Sequence, residues 1–248
     1  MQRYFIEIMY VGSNYHGWQV QPNSITVQEQ LEKAISTVLN KKIGVIGAGR
    51  TDTGVHAKQF FAHFDYDSNL LDCNIVYRLN SFLPEDISVK SISEVKADAH
   101  CRFDAISRTY EYIIHKTKNP FLVDNSYFLH KTLDIEEMNK AANCLFDFID
   151  FTSFSKLHTQ TKTNNCRIKK AVWEQKGDTL IFTIQADRFL RNMVRAIVGT
   201  LINVGLGKIS IDDFVKIIKS KDRAQAGTSV PAHALYLTNI CYPENIWL

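Results

Sequence analysis

The run Gly47-Ala48-Gly49-Arg50-Thr51-Asp52-Thr53-Gly54-Val55-His56-Ala57 lies between two strand-like stretches, Ile43 to Ile46 and Gln59 to Phe64. Its glycines permit positive φ angles and the close approach of another chain to the backbone. Arg50 and Asp52 are two residues apart, so in an extended segment they project the same way. Such a loop presents a fixed anion beside a fixed cation. Gly49 and Gly54 enclose four residues, the spacing of a phosphate-binding loop. Val55 and His56 stand where that loop needs its lysine and its hydroxyl, so it is not one. The plain alternative is a tight turn in which Asp52 bonds its own backbone.

Working outward from this loop, the N-terminal half alternates helices and strands. Tyr4 to Tyr10 reads as a strand, followed by a loop with Asn14-Tyr15-His16-Gly17-Trp18-Gln19. Thr26 to Asn40 reads as a helix. Thr26 and Glu29 have capping-box spacing, and Val27, Leu31, Ala34, Ile35 and Val38 share a face. Leu70 to Phe82 reads as a second helix, stopped by Pro84, and Ile87 to Val95 as a strand. The order β-α-β-β-α-β is the ferredoxin-like arrangement.

The second half repeats that order with one extra helix. Cys101 to His115 reads as a strand carrying Arg102, Arg108, Tyr110 and Tyr112. Asp134 to Phe146 is an amphipathic helix capped by Asp134. Arg167 to Gln175 and Thr179 to Ala186 form a hairpin around Gly177-Asp178. Phe189 to Leu206 is an apolar helix, Ser210 caps a short helix to Ile218, and Leu235 to Tyr242 closes as a strand. The expected fold is α/β (α+β): two ferredoxin- or RRM-like halves, 1–98 and 99–248, with mainly antiparallel sheets and an active-site cleft between them.

The chain has 248 residues, 45% of them hydrophobic and 22% charged, enough for one large core or two small ones. A formal charge of +3 permits an RNA partner without demanding one. Five cysteines with no Cys-x-x-Cys pair read as reduced thiols of a cytoplasmic protein. No apolar run reaches membrane-spanning length, and the N-terminus lacks a signal-peptide pattern. His16, His56 and His100 have no metal-ligand spacing, and no cofactor motif is found. Arg188, Arg191 and Arg195 cluster at the start of the apolar helix. Arg191 and Arg195 are expected on one face, since four residues make about one turn. Arg195 is rooted among Met193, Val194, Ile197 and Val198, so its guanidinium needs a buried acid partner, for which Asp52 is a candidate.

Several of these segments resemble the tRNA pseudouridine synthase A family, in the family's order and over nearly the whole chain. Gly49 to Ala57 resembles its signature loop, and His16-Gly17-Trp18-Gln19 with Gln21 its N-terminal loop. Leu79-Asn80 with Leu83-Pro84 and Asp86-Ile87 resembles the following segment. Arg102-Phe103 and Arg108-Thr109-Tyr110 are similar to its central strand, Phe189 to Gly199 to its basic helix, and Pro231 to Leu237 to its last strand. Cys101 and Ala234 depart from it, where the family often has Ala and Gly.

The resemblance implies isomerisation of uridine to pseudouridine in the anticodon stem-loop of tRNA, without a cofactor, by a homodimer. By matching position, Asp52 is the catalytic carboxylate, Tyr110 stacks on the target base, Arg195 partners Asp52, and Arg50 holds the base out of the helix. The residue types suit that chemistry. A carboxylate attacks carbon or stabilises a sugar cation, and a nearby guanidinium keeps it ionised. An aromatic platform retains the freed base, and the Tyr110 hydroxyl can move a proton. Arg102, Arg108, Arg167, Arg188, Arg191 and the stretch Lys162 to Lys170 are candidate phosphate contacts, with Lys156 to Lys170 read as an RNA-facing loop. Trp18 reads as packing and Tyr112 as an ordinary sheet aromatic. Two other readings stay open. A non-catalytic RRM-like module would show a Gly-and-aromatic strand signature, which is missing. A carboxylate-dependent nucleosidase would want a second acid beside Asp52.

Overall fold

The structure, a computed structural model, describes residues 1–67, 69–70, 74–156 and 163–248. The chain forms two compact units, Met1–Ile106 with Leu237–Leu248, and Ser107–Tyr236. The first ends eight residues beyond the expected boundary at 98 and takes back the C-terminal residues.

In the first unit, β1 (Gln2–Tyr10) is the central strand and pairs antiparallel with β3 (His56–Tyr66) and β4 (Ile87–Val95). β2 (Ile46–Gly47) lies antiparallel on β3, giving the order β4-β1-β3-β2 of the ferredoxin-like arrangement. β2 is shorter than the strand expected from Ile43, because Val45 spends its hydrogen bonds on side chains. Its N–H donates to Glu32 Oε1 and its carbonyl accepts from Gln28 Nε2, both on α1 (Val27–Val38). The Thr26 hydroxyl caps α1 by accepting the Glu29 N–H, as its position suggested.

α2 (Ile75–Phe82) begins later than expected, after Asn74 in the left-handed region at φ 48°. Residues 71–73 of the expected helix lie outside the described residues. Asn80 ties α2 to β4 by accepting the Val89 N–H at 2.7 Å and donating to the Val89 carbonyl at 2.8 Å.

Both faces of β1 are covered. Tyr4, Ile6 and Ile8 are fully buried on one face, and Phe5 is buried on the other against Phe61, Tyr242 and Trp247. This aromatic cover, on the residues after β9 (Leu235–Cys241), explains why the C-terminal segment belongs to the first unit.

In the second unit, β5 (Ser107–His115) pairs antiparallel with β8 (Thr179–Ala186), which pairs antiparallel with β7 (Ile168–Lys176). The hairpin turns at Gly177, φ +58°, as expected. A short strand unseen in the sequence, β6 (Tyr127–Phe128), lies parallel to β5. α3 (Ile135–Asn143) is capped by Asp134, and α5 (Ile211–Ser220) carries a full capping box between Ser210 and Asp213.

Two expectations need correction. β5 starts at Ser107, not Cys101. Residues 100–104 instead form a turn, closed where the His100 N–H donates to Asp104 Oδ2 at 2.7 Å and the Phe103 and Asp104 N–H groups donate to the His100 carbonyl. The apolar helix, α4 (Met193–Gly205), starts four residues later than expected. Asn192 precedes it in the left-handed region at φ 66°, its amide donating to Ser229 Oγ at 2.6 Å. Arg188 and Arg191 therefore precede the helix, and the one-turn relation between Arg191 and Arg195 does not hold.

α4 is buried along most of its length and crosses residues 227–230 closely. A Cβ on Gly199 would meet the Thr228 carbonyl oxygen at 1.9 Å, so glycine is required there. The Gly227 N–H donates to Thr200 Oγ1, and the Val230 N–H to the Arg195 carbonyl.

Burial also sets a pH dependence. His63 on β3 is 3% exposed, with Nδ1 3.1 Å from Cys101 Sγ and accepting the Cys101 N–H. Burial, then the neighbouring His100 and Arg3, lowers its pKa from 6.5 to about 4, against a weaker pull from Asp65 and Asp104. Above pH 6.5 the ring is neutral folded or unfolded. Below it the unfolded chain binds a proton that the folded chain refuses. Stability therefore falls as pH drops from about 6.5 towards about 4. Urea unfolding at pH 7 and pH 5 should show a smaller loss in His63→Gln than in the wild type. The same loss in both would contradict this.

Candidate active site

In the first unit, the 47–57 loop is held by the 10–18 loop, and glycines let the two backbones touch. A Cβ on Gly12 would lie 2.0 Å from the Val55 carbonyl oxygen. Gly17 has φ +86°, and a Cβ there would lie 2.4 Å from the Thr51 carbonyl oxygen and 3.2 Å from the Asp52 carbonyl carbon. Hydrogen bonds link the same segments. The Gly12 N–H donates to His56 Nδ1 at 3.0 Å, the Trp18 N–H to the Thr51 carbonyl at 3.3 Å, and the Gly54 N–H to the Tyr15 carbonyl at 3.3 Å. The Tyr10 and Thr51 hydroxyls meet at 2.9 Å. The Tyr15 phenol donates in turn to Asp86, and burial, then that bond, raises its pKa.

Asp52 sits at the start of the resulting turn. Its carbonyl accepts the Val55 N–H at 3.1 Å, and Gly54 takes φ +78°. Its side chain is half-buried, and that of Arg50 is exposed. Trp18 is 1% exposed and packs 4.2 Å from Phe60, so it is packing, as expected.

Beside this loop the first unit has a recess of about 220 Å³. Gly47, Gly49 and Arg50 line one side, and His100, Arg102 and Phe103 another. The sequence placed Arg102 on the tyrosine strand, but the 100–104 turn carries it here. His63, His100 and Cys101 also come together, with possible ligand atoms within 4.8 Å of one another. The sequence reading weighed His100 only against His16 and His56. A metal would have to compete for bonds already in use, since His63 Nδ1 accepts the Cys101 N–H and Cys101 Sγ donates to the Ile46 carbonyl.

In the second unit, Arg108, Tyr110 and Tyr112 follow one another on one face of β5. Tyr112 is fully buried and donates to the Pro231 carbonyl at 3.0 Å, so its role is structural. Burial raises its pKa, and the nearby Arg195 opposes that. Tyr110 is half-buried, its ring edge-on to Phe189 at 5.1 Å. Arg195, on the first turn of α4, donates through Nε to the Val230 carbonyl at 2.7 Å. An apolar helix thus roots a guanidinium near the tyrosine face of β5.

Asp187 organises the other arginines. Its Oδ1 accepts the N–H groups of Arg167 and Arg188, each at 2.7 Å, and its carbonyl accepts Arg108 Nη1 at 2.8 Å. Arg191 is exposed, and its carbonyl accepts the Lys156 N–H. Of the expected RNA-facing loop, residues 157–162 lie outside the described residues, and Lys169 and Lys170 belong to β7.

Gly12, Gly17 and His56 were missed as supports of the Asp52 loop. The glycines were in view, but their role rests on contacts between loops about 40 residues apart, which short-range pattern does not reveal.

Comparison with known proteins adds a second line of observation. A family described as tRNA pseudouridine synthase matches residues 7–104 and 149–243. The chain is 57% identical over 249 residues to the tRNA pseudouridine synthase A of Bacteroides fragilis, covering 100% of this chain and 99% of that one. It is 55% identical to the protein of that name from Bacteroides thetaiotaomicron, covering 100% and 93%. For the Porphyromonas gingivalis protein the identity is 54%, covering 100% of both.

Proposed function

The chain belongs to the tRNA pseudouridine synthase family, and from that premise we propose that Asp52, Tyr110 and Arg195 carry out its isomerisation of tRNA uridine. The reaction breaks the N1–C1′ bond, turns the uracil and forms a C5–C1′ bond. The proton on C5 is lost and one is gained at N1, so no atom is added or removed. Asp52 attacks the nucleoside or stabilises the sugar cation, with Arg195 as its basic partner. Tyr110 stacks on the uracil, and its hydroxyl oxygen relays the C5 proton, passing on its own proton as it accepts that one. The observation that carries this reading is the Asp52 loop, whose backbone is fixed on both sides of the carboxylate by the 10–18 loop. Such fixing suits a group that must meet a reacting atom without reorganising.

The target uridine must leave its stack, at a cost of a few kcal/mol. We place it in the anticodon stem-loop, where Arg50 holds the base out and Arg102, Arg108, Arg188 and Arg191 grip phosphates. The active form is a homodimer in the cytoplasm. No helix among the described residues is long and apolar enough to cross a membrane.

Tritium release from tRNA labelled at uridine C5 tests the chemistry. Asp52→Asn should lower release on the order of 10⁴-fold or more while tRNA binding persists. Tyr110→Phe should bind normally and turn over on the order of 10²-fold more slowly. Binding without release by the wild type would mark a non-catalytic module, and free uracil would mark a nucleosidase. Near-normal release by Tyr110→Phe would remove its hydroxyl from the mechanism. Sedimentation at micromolar concentration should give a dimer, and monomer alone would contradict that assembly.

A further inference from the structure

The recess beside the Asp52 loop carries an exposed aromatic ring, that of Phe103, to which the isomerisation assigns no role. It measures about 220 Å³, and Asp52 is not among the residues that line it. Among the described residues no carboxylate lines it, whereas two guanidiniums do, those of Arg50 and Arg102. It therefore favours an anion. The aromatic component is Phe103, which is 73% exposed on the tip of the 100–104 turn. Its ring is braced, with the His100 ring 4.2 Å away and the Arg102 guanidinium 5.6 Å from its centroid. His100 is in turn edge-on to the buried His63 at 4.7 Å. A rigid, exposed phenylalanine beside two arginines matches a stacking platform for a base attached to a phosphate.

Gly49 is a second, independent observation. A Cβ built there meets nothing within 4 Å, and its backbone is not in the left-handed region. Neither packing nor conformation demands glycine, yet the position borders the recess. A ligand lying close to the backbone accounts for its bareness.

We propose that this recess binds the base and phosphate of the nucleotide next to the target uridine, with Phe103 as its stacking platform. The proposal rests on the reading of Asp52 as the group that meets the target. Arg50 borders the recess and lies two residues from Asp52, at most about 7 Å along the chain, which is the scale of one nucleotide step. The occupant is thus the neighbour and not the target. Arg50, which holds the target base out, stands between the two, and Arg102 meets the neighbour's phosphate.

Two readouts test it. In the first, single-turnover pseudouridine formation is measured on an anticodon-arm RNA, intact or with the nucleotide 5′ or 3′ of the target made abasic. In the wild type, the abasic change on one side should cost about 5- to 150-fold in kcat/KM, the range one base–aromatic stack is worth. Phe103→Ala should show a similar loss on intact RNA and no further loss on that abasic RNA, and Phe103→Trp should restore most of the rate. In the second readout, Asp52→Asn protein binds the same RNA with 2-aminopurine at that position. Stacking should quench its fluorescence, and adding Phe103→Ala should abolish the quench. A Phe103→Ala protein as active as wild type, losses that multiply on both abasic RNAs, or an unchanged quench would each overturn the inference. Failure of the wild type to form pseudouridine would instead overturn the assignment of Asp52, while the quench still reports on the recess.

Discussion

Two backbones touch where the 10–18 loop meets the 47–57 loop, and the placement of Asp52 depends on that contact. Neither Gly12 nor Gly17 has room for a Cβ against the Val55 and Thr51 carbonyls. The hydrogen bonds at His56, Thr51 and Gly54 close the same seam. A flexible loop would pay ordering entropy each time it met substrate. Here that cost is met during folding, by contacts that leave the Asp52 side chain half-buried rather than sealed.

The second unit places its cation by a related device. α4 is apolar enough to be buried along most of its length, and Gly199 lets it approach residues 227–230. Arg195 is then anchored by its Nε bond to the Val230 carbonyl. Asp187 orders Arg167 and Arg188 through their main-chain N–H groups and Arg108 through its side chain. Basic groups fixed by their backbones can meet RNA phosphates with less lost side-chain freedom than arginines on loose loops.

How much of this was legible beforehand follows from the range of each interaction. Alternation and capping are local, so β4 and β8 were read to the residue and β1, α1, α3 and α5 to within three, and the ferredoxin-like order of the first unit with them. Strand ends decided by particular side-chain hydrogen bonds were misread. β2 is short because Gln28 and Glu32 take Val45's bonds, and β5 starts late because Asp104 closes a turn on His100. The start of α4 was misread because a left-handed Asn192 leaves no mark on hydrophobic periodicity. At the site, Asp52 and Arg50 stood out as residue types in a glycine-rich loop. The recess around Phe103 did not, because a strand was expected where the chain turns.

The interlocked loops are tested most directly by the single-turnover rate of Gly17→Ala on tRNA, with tRNA affinity measured in parallel. The added methyl group must displace the backbone at Thr51 and Asp52. A small misplacement of a reacting group is worth on the order of a hundredfold, so the rate should fall by about that much while tRNA still binds. A rate equal to that of the wild type would show that Asp52 does not depend on the seam that holds it.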